Sequence, residues 1–266
     1  MNRKSPSSDL WEAISANLIA FWSSYGRGQG CILEQTSDWA WFYTGIRSRF
    51  YNGVLRARFE PDEVKAVIDR LRARIRPEGA PAIWWLDPQS NPERLGPLLE
   101  QYGVASAGEI PAMAVDLEGI GKGSDRIADF TIKRVDRPEL QAVWGRTAAV
   151  GTDLPKESIE RLVELEAGLS DEPYRAQRRY IGTLAGIPVA TSAMVLEGGV
   201  AGIYAVATLP AARRRGIGRI MTVRPLLEAR EMGCRVGILQ ASSAGYSLYK
   251  KIGFRDVGRY RLYLQT

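Results

Sequence analysis

Arg213-Arg214-Arg215-Gly216-Ile217-Gly218 follows an apolar run, Gly202 to Leu209, and Pro210, and leads into a helix-like segment, Arg219 to Met232. The order is strand, turn with two glycines, helix. Gly216 and Gly218 have no side chains, so the backbone can approach a ligand closely there. The first helical turn presents N–H groups without intrahelical acceptors, at the positive end of the helix dipole. With three arginines beside it, the turn is an anion site suited to a phosphate-bearing ligand. Gly-x-Gly and an arginine run also describe a plain turn with a solvated rim. The rest of the chain has to decide between the two.

The 266 residues suffice for one large or two modest domains. Hydrophobic and charged fractions of 45% and 25% fit a soluble globular protein. No apolar run reaches membrane-spanning length. Leu18 to Trp22 is too short and too polar in its flanks for a secretory leader, so a cytoplasmic protein without a membrane partner is expected. Cys31 and Cys234 do not make a disulfide framework or a metal-ligand spacing, and no metal site is expected. Histidine is absent. That excludes Ser-His-Asp and Cys-His nucleophiles, His-ligated zinc and a histidine base. Residues 1–125 carry 14 Lys+Arg and 16 Asp+Glu, a net of −2, whereas residues 126–266 carry 22 and 14, a net of +8. The basic excess lies in the half with the arginine–glycine turn, which suits an anionic ligand.

The second half is expected to be α/β. Phe130 to Val135, Arg179 to Leu184, Ile187 to Leu196 and Val200 to Leu209 have the pattern of strands, with hairpin turns at Ala185-Gly186 and Glu197-Gly198-Gly199. Arg137 to Ala149 and Pro155 to Leu169 have helical spacing. After the helix from Arg214 come a buried strand, Val236 to Gln240, a helix, Gly245 to Lys251, capped by Gly253, and Phe254 to Leu264, which is expected to close that sheet. The first half repeats this order: strand Val54 to Phe59, helix Pro61 to Ile75, strand Pro81 to Leu86, helix Pro92 to Gln101 capped by Gly103, strand Pro111 to Leu117. A structural duplication follows, with domains at 1–122 and 127–266 and Gly119 to Asp125 as linker. The first copy's turn, Phe59-Glu60-Pro61-Asp62-Glu63, has no glycine and three carboxylates. Those stabilise a helix start and repel phosphate, so no cofactor is expected there. Trp39-Ala40-Trp41-Phe42-Tyr43 is a candidate wall for an acceptor cleft or a core strand.

Thr208-Leu209-Pro210, then Arg213-x-x-Gly216-x-Gly218, then Leu248-Tyr249-x-x-x-Gly253-Phe254, resembles the GNAT superfamily of acyl-CoA-dependent N-acyltransferases over about residues 128–264. The first half resembles a degenerate second copy. The resemblance implies a tandem GNAT-like fold, a mixed α/β sheet, with acetyl-CoA as acyl donor and direct transfer to an amine. It implies that the turn from Arg213, Arg214 and Arg215 through Gly216, Ile217, Gly218 and Arg219 holds the pyrophosphate. Val206, Ala207 and Thr208 would pair with the pantetheine arm. Ser242, where relatives often carry asparagine, would touch that arm. Tyr249 would protonate the departing thiolate, since a phenol keeps its proton near neutral pH.

The base departs from the family pattern. Residues 202–209 hold no acid. Glu197 in the preceding hairpin is the candidate base, with Asp153, Glu157 and Glu166 on the acceptor side as others. A neutral amine relayed through water, or lost activity, are the alternatives. A small-molecule amine is expected as acceptor rather than a protein, and a homodimer is left open. A non-catalytic acyl-CoA sensor and a basic nucleic-acid-binding module are the competing readings. The arginines at 70, 72, 74 and 76 support the latter, but they spread around a helix and lack interleaved aromatics, so nucleic acid is not the expected partner.

Overall fold

The computed structural model describes residues 6–75, 79–121, 126–169 and 177–266. The chain forms two compact units, which do not follow the expected boundary at 122–127. One combines Trp22–Pro111 with Gly258–Thr266, and the other combines the N-terminal segment up to Phe21 with Ala112–Val257. Residues 122–125 of the expected linker lie outside the described residues.

In the smaller unit, β1 (Ile32–Gln35), β2 (Trp39–Tyr43) and β3 (Asn52–Ala57) form an antiparallel meander. α2 (Val64–Arg74) connects β3 to the parallel β4 (Ala82–Leu86). α3 (Pro92–Gln101) leads into β5 (Ala105–Asp116). The aromatic run Trp39 to Tyr43 is not a cleft wall: Trp41 and Tyr43 are core, packed with Trp84, Ile68, Leu95 and Leu99. The strand beside β4 is the last of the chain, β11 (Arg255–Gln265), with Leu262 opposite Trp85 and Leu264 opposite Ile83. The indole of Trp84 donates to Gln265 Oε1 at 3.0 Å.

The larger unit contains β6 (Phe130–Arg134), β7 (Gln177–Leu184), β8 (Ile187–Glu197), β9 (Val200–Thr208) and β10 (Val236–Gln240) in spatial order, followed by the end of β5. All neighbours are antiparallel except β9 and β10. Its edge partner for β10 is Ala112–Asp116, the end of the first copy's closing strand. The closing strands are thus exchanged: β5 pairs with the second copy's β10, and β11 pairs with the first copy's β4. Phe254 to Leu264 does form a strand, but against the first copy's sheet. A strand pattern records alternation and does not identify the neighbour, and that is why the boundary moved.

α6 (Ile217–Glu231) and α7 (Ser243–Ile252) cover one face of this sheet through Met194, Ile203, Ile217, Met221, Leu226, Leu239 and Tyr249. α4 (Pro138–Gly151) lies against β7, β8 and β9, and α5 (Lys156–Gly168) packs on α4. The indole of Trp144 in α4 donates to the carbonyls of Tyr180 and Ser192, each at 3.1 Å. The N-terminal helix α1 (Pro6–Ser23) packs on this unit, with Phe21 stacked on Tyr204 at 4.2 Å and Asn17 as its polar anchor. The Asn17 amide donates to the carbonyls of Val195, Glu197 and Val200 at 3.1, 3.1 and 3.2 Å and accepts from the Tyr204 hydroxyl at 2.9 Å. Gly202 faces it, and a Cβ there would meet Asn17 Oδ1 at 1.9 Å.

Glu166 of α5 is fully buried and forms a two-pronged ion pair with Arg179 of β7, itself 3% exposed. The guanidinium lies 5.2 Å from the Trp144 ring centre. Removing one member leaves an uncompensated buried charge, at a cost of about 3–5 kcal/mol, whereas replacing both with apolar groups is often neutral. Glu166→Ala should lower the unfolding free energy by about that amount in urea titration, and the double change Glu166→Leu with Arg179→Met should recover most of it.

Candidate functional site

The turn between β9 and α6 is built to expose amides. Gly216 sits at the helix N-cap with φ +81°, left-handed and open to glycine. Arg214 also takes a left-handed conformation, φ +63°, which costs a non-glycine residue about 1–2 kcal/mol. No side chain caps α6, and its first internal hydrogen bonds run from Arg219 and Ile220 to the Gly216 carbonyl. The N–H groups of Arg214, Arg215, Gly216, Ile217 and Gly218 find no backbone acceptor among the described residues. Such a row of amides around left-handed residues is an anion cradle. Ile217 turns inward to the core, Gly218 lets Leu248 of α7 approach, and Arg214 and Arg215 stand exposed at the rim. Arg213 has another task. Its guanidinium donates to the carbonyls of Thr208 and Gly151 at 2.9 and 3.2 Å and lies 3.9 Å from Asp153. It ties the strand end to the end of α4.

The strand before the turn has a free edge. β9 pairs with β10 only at Ala201 and Gly202. Beyond that, β8 alone holds it, with Thr191 opposite Ala207 and Ala190 opposite Thr208. Ala205 and Val206 stand opposite the single Ser192, a bulge in which Ala205 has φ +48°. Buried Thr191 locks it by donating from its hydroxyl to the Ala205 carbonyl at 3.0 Å. Behind this strand a Cβ on Gly151 would meet Ala207 Cβ at 2.8 Å, so α4 approaches closely. Val206 and Ala207 therefore lie on a strand segment whose outer edge pairs with no other strand among the described residues, beside the amide turn, and at Thr208 the carbonyl is taken by Arg213. A ligand with phosphates and an extended amide arm fits these two features together. Neither Thr191 nor the bulge announces itself in sequence.

Tyr249 is buried in α7, 8% exposed, its ring edge-on to Phe254 at 5.9 Å. Burial pushes its phenol up to about 12. Gly245 leaves room for that ring, since a Cβ there would lie 2.7 Å from it. Ser242 is the N-cap of α7 and accepts from Gly245 N at 3.2 Å, so its hydroxyl serves the helix. Tyr246 binds both carboxylate oxygens of Asp256, at 3.1 and 2.9 Å.

Glu197 is misplaced for a base at this edge. It pairs with Val200 at the opposite end of β9, and six residues of strand put it roughly 20 Å from Val206. Glu166 is consumed by Arg179. Asp153 and Glu157 are exposed at the end of α4 and the start of α5, Asp153 beside Arg213.

The first copy shows what a filled slot looks like. Glu60 opens the helical turn Pro61–Glu63: the Glu63 amide donates to the Glu60 carbonyl at 3.1 Å, while the Glu63 carboxylate accepts from Glu60 N at 2.8 Å. The C-terminal caps of α3 and α7 match: Val104 N donates to Leu99 O and Phe254 N to Tyr249 O, with Gly103 and Gly253 left-handed at φ +80° and +113°. Leu99 thus stands where Tyr249 stands.

With that geometry in view, residues 153–254 match the model of the Acetyltransferase (GNAT) family. A GCN5-related N-acetyltransferase from Kribbella flavida superposes with a TM-score of 0.62 at 19% identity, over 94% of this chain and 95% of that one. A tandem GNAT protein from the clavulanic acid biosynthesis pathway gives 0.64 at 10% identity, over 99% and 95%. A functionally unknown conserved protein from Staphylococcus epidermidis gives 0.61 at 13%, over 87% and 92%. Among curated proteins none matches the sequence. The family match thus lies within the second half, and the fold is that of tandem GNAT proteins. Among the described residues no helix is long and apolar enough to cross a membrane, and no cluster of metal-ligating side chains occurs.

An ultraviolet difference titration of the protein against Tyr249→Phe should place the missing phenol's ionisation near pH 12, because burial disfavours the phenolate. A difference centred at the ordinary value of 10 would mean that solvent reaches the hydroxyl.

Proposed function

We propose that the protein is an N-acetyltransferase that carries the acetyl group of acetyl-CoA to the nitrogen of a small primary amine. The observation that carries this reading is the row of amides at 214–218, which find no backbone acceptor among the described residues, set beside the stretch of β9 that has left β10. The amides, with Arg219 in the first turn of α6, receive the pyrophosphate. Arg214 and Arg215 supply positive charge at the rim, and Arg213 holds the turn in place. Val206, Ala207 and Thr208 pair with the pantetheine arm. The amine nitrogen attacks the thioester carbonyl carbon, the carbon–nitrogen bond forms and the carbon–sulfur bond breaks. The sulfur keeps the electron pair and takes the Tyr249 proton, while the amine loses its proton to water. Transfer belongs to the larger unit. The smaller unit takes no cofactor, since carboxylates fill its helix start and Leu99 replaces the phenol.

A second reading, acyl-CoA binding without turnover, draws on the lack of any carboxylate between Gly202 and Leu209. Nucleic-acid binding has less behind it. Arg70 and Arg74 pair with Glu34 of their own unit and stack near Trp39 and Trp41, and Arg72 donates to the Tyr102 carbonyl at 2.7 Å. Arg76 lies outside the described residues.

Calorimetric titration with acetyl-CoA, and thiol release with a panel of amines, test the proposal. Gly216→Val, which forces a β-branched residue into a left-handed turn, should abolish binding. Tyr249→Phe should leave the Kd unchanged and lower kcat by on the order of 10²-fold. Absence of acetyl-CoA binding by the unmodified protein sinks the proposal, and binding without thiol release from any amine favours the second reading.

A further inference from the structure

Gln240 ends an otherwise apolar strand, Val236-Gly237-Ile238-Leu239-Gln240, and no role described so far uses it. On one side β10 pairs with β5 as far as Gln240 opposite Ala112. On the other it pairs with β9 only at Gly237 with Ala201 and Ile238 with Gly202. Gln240 is therefore the first residue on its face of β10 beyond the point where β9 departs. Leu239 belongs to the core beneath α6 and α7, so strand alternation turns Gln240 to the opposite face. Gly202, next to Asn17, is on that same face, and continued parallel register would set Gln240 across the gap from Tyr204.

Its amide nitrogen is shielded from solvent and finds no hydrogen-bond acceptor among the described residues. A buried donor left unmade costs about 1–3 kcal/mol, and folded proteins keep few of them. This one lies at the closed end of the gap whose open end is the amide turn. A ligand with its phosphates on that turn and its arm along Val206 to Thr208 points its far end toward Ala205 and the closed end. For acetyl-CoA, that far end is the thioester.

We infer that Gln240 is a catalytic residue whose Nε2 donates a hydrogen bond to the acyl carbonyl oxygen of the bound thioester. The inference rests on the acetyl-CoA reading above. When the carbon–nitrogen bond forms, negative charge grows on that oxygen, and a fixed donor in a shielded site stabilises it more strongly than the ground state. An amide serves at any working pH, because it donates without giving up its proton.

The test compares acetyl-CoA with CoA, which lacks the acyl carbonyl. Gln240→Met keeps the length and apolar stem and removes the donor. Gln240→Leu, shorter and apolar, removes the donor in a second way without adding a charge. Titration calorimetry should show the Kd for acetyl-CoA rising about tenfold in both variants, with the Kd for CoA unchanged. Thermal unfolding of free Gln240→Met should be no lower than that of the unmodified protein, since an unpaired buried donor has been removed. Equal weakening of both ligands, or no weakening of either, would overturn the inference and leave the amide a structural, water-bridged group. If the unmodified protein binds neither ligand, the acetyl-CoA reading falls and takes this inference with it. If it binds both while the variants fail selectively, the two stand together.

Discussion

The departure of β9 from β10 after Gly202 is the constraint on which the site depends. Two adjacent parallel strands would ordinarily continue their ladder, because each unpaired buried backbone group costs free energy. Here the ladder stops after two residue pairs, and the bulge at Ala205 and Val206 carries the strand onward against β8 alone. A non-glycine residue at φ +48° is not a conformation that alanine chooses by itself. Thr191 holds it from the neighbouring strand, and Asn17 clamps the start of the hairpin by three carbonyls. The open edge is therefore imposed by side chains on both sides of the strand. The anion cradle at Arg214 to Gly218 follows directly, because the same strand delivers the chain to the start of α6.

The duplication sharpens this point. Both copies have a strand, a helix start, a second parallel strand and a glycine-capped helix in the same order, so backbone topology alone does not make a site. In the first copy Glu60 and Glu63 satisfy each other's helix-terminal groups, and a leucine occupies the place of the phenol. The second copy leaves its helix start uncapped and accepts the strain of Arg214. One copy has turned its turn into a local stability device. The other keeps equivalent donors open. The exchange of β5 and β11 means that each copy's closing strand is placed by residues contributed from the other half of the sequence.

Much of this was legible in the chain. Gly216, Gly103 and Gly253 are glycine because their φ values are positive, and each marked an element boundary within a few residues. The α6 and α7 helices and the strands from Phe130 to Gln240 lie where alternation and helical spacing put them. What the chain did not reveal has a common cause: local pattern does not identify partners. The same alternation describes β11 whichever sheet it joins. Ser242 has the chemistry to touch a ligand, but a serine three residues before an available amide caps a helix first. Arg213 is adjacent in sequence to the cradle, yet its long side chain folds back onto two carbonyls. Glu197 is close to β9 in sequence and far from the arginine–glycine turn, since a hairpin turn sits at one end of the strand and that turn at the other.

The absence of histidine gives the remaining chemistry its shape. Among the residues assigned to the gap, the Gln240 amide does not titrate and Tyr249 holds its proton to about pH 12. Burial, which keeps the phenol neutral, also makes it a reluctant acid toward a thiolate, since even an ordinary cysteine thiol ionises near about 8.5. Proton delivery to sulfur is then uphill unless it accompanies bond cleavage, when the leaving sulfur is a transient anion in a shielded site. In the proposed reaction neutral donors would then carry the stabilisation of charge: the turn amides at the phosphates, Gln240 at the carbonyl, Tyr249 at the sulfur. A carboxylate on β9 would have supplied a base, but it would also have placed negative charge beside an oxygen and a sulfur that are both becoming negative. On this reading the strand between Gly202 and Leu209 is acid-free for an electrostatic reason, and the group that must titrate in the working range is the acceptor amine itself.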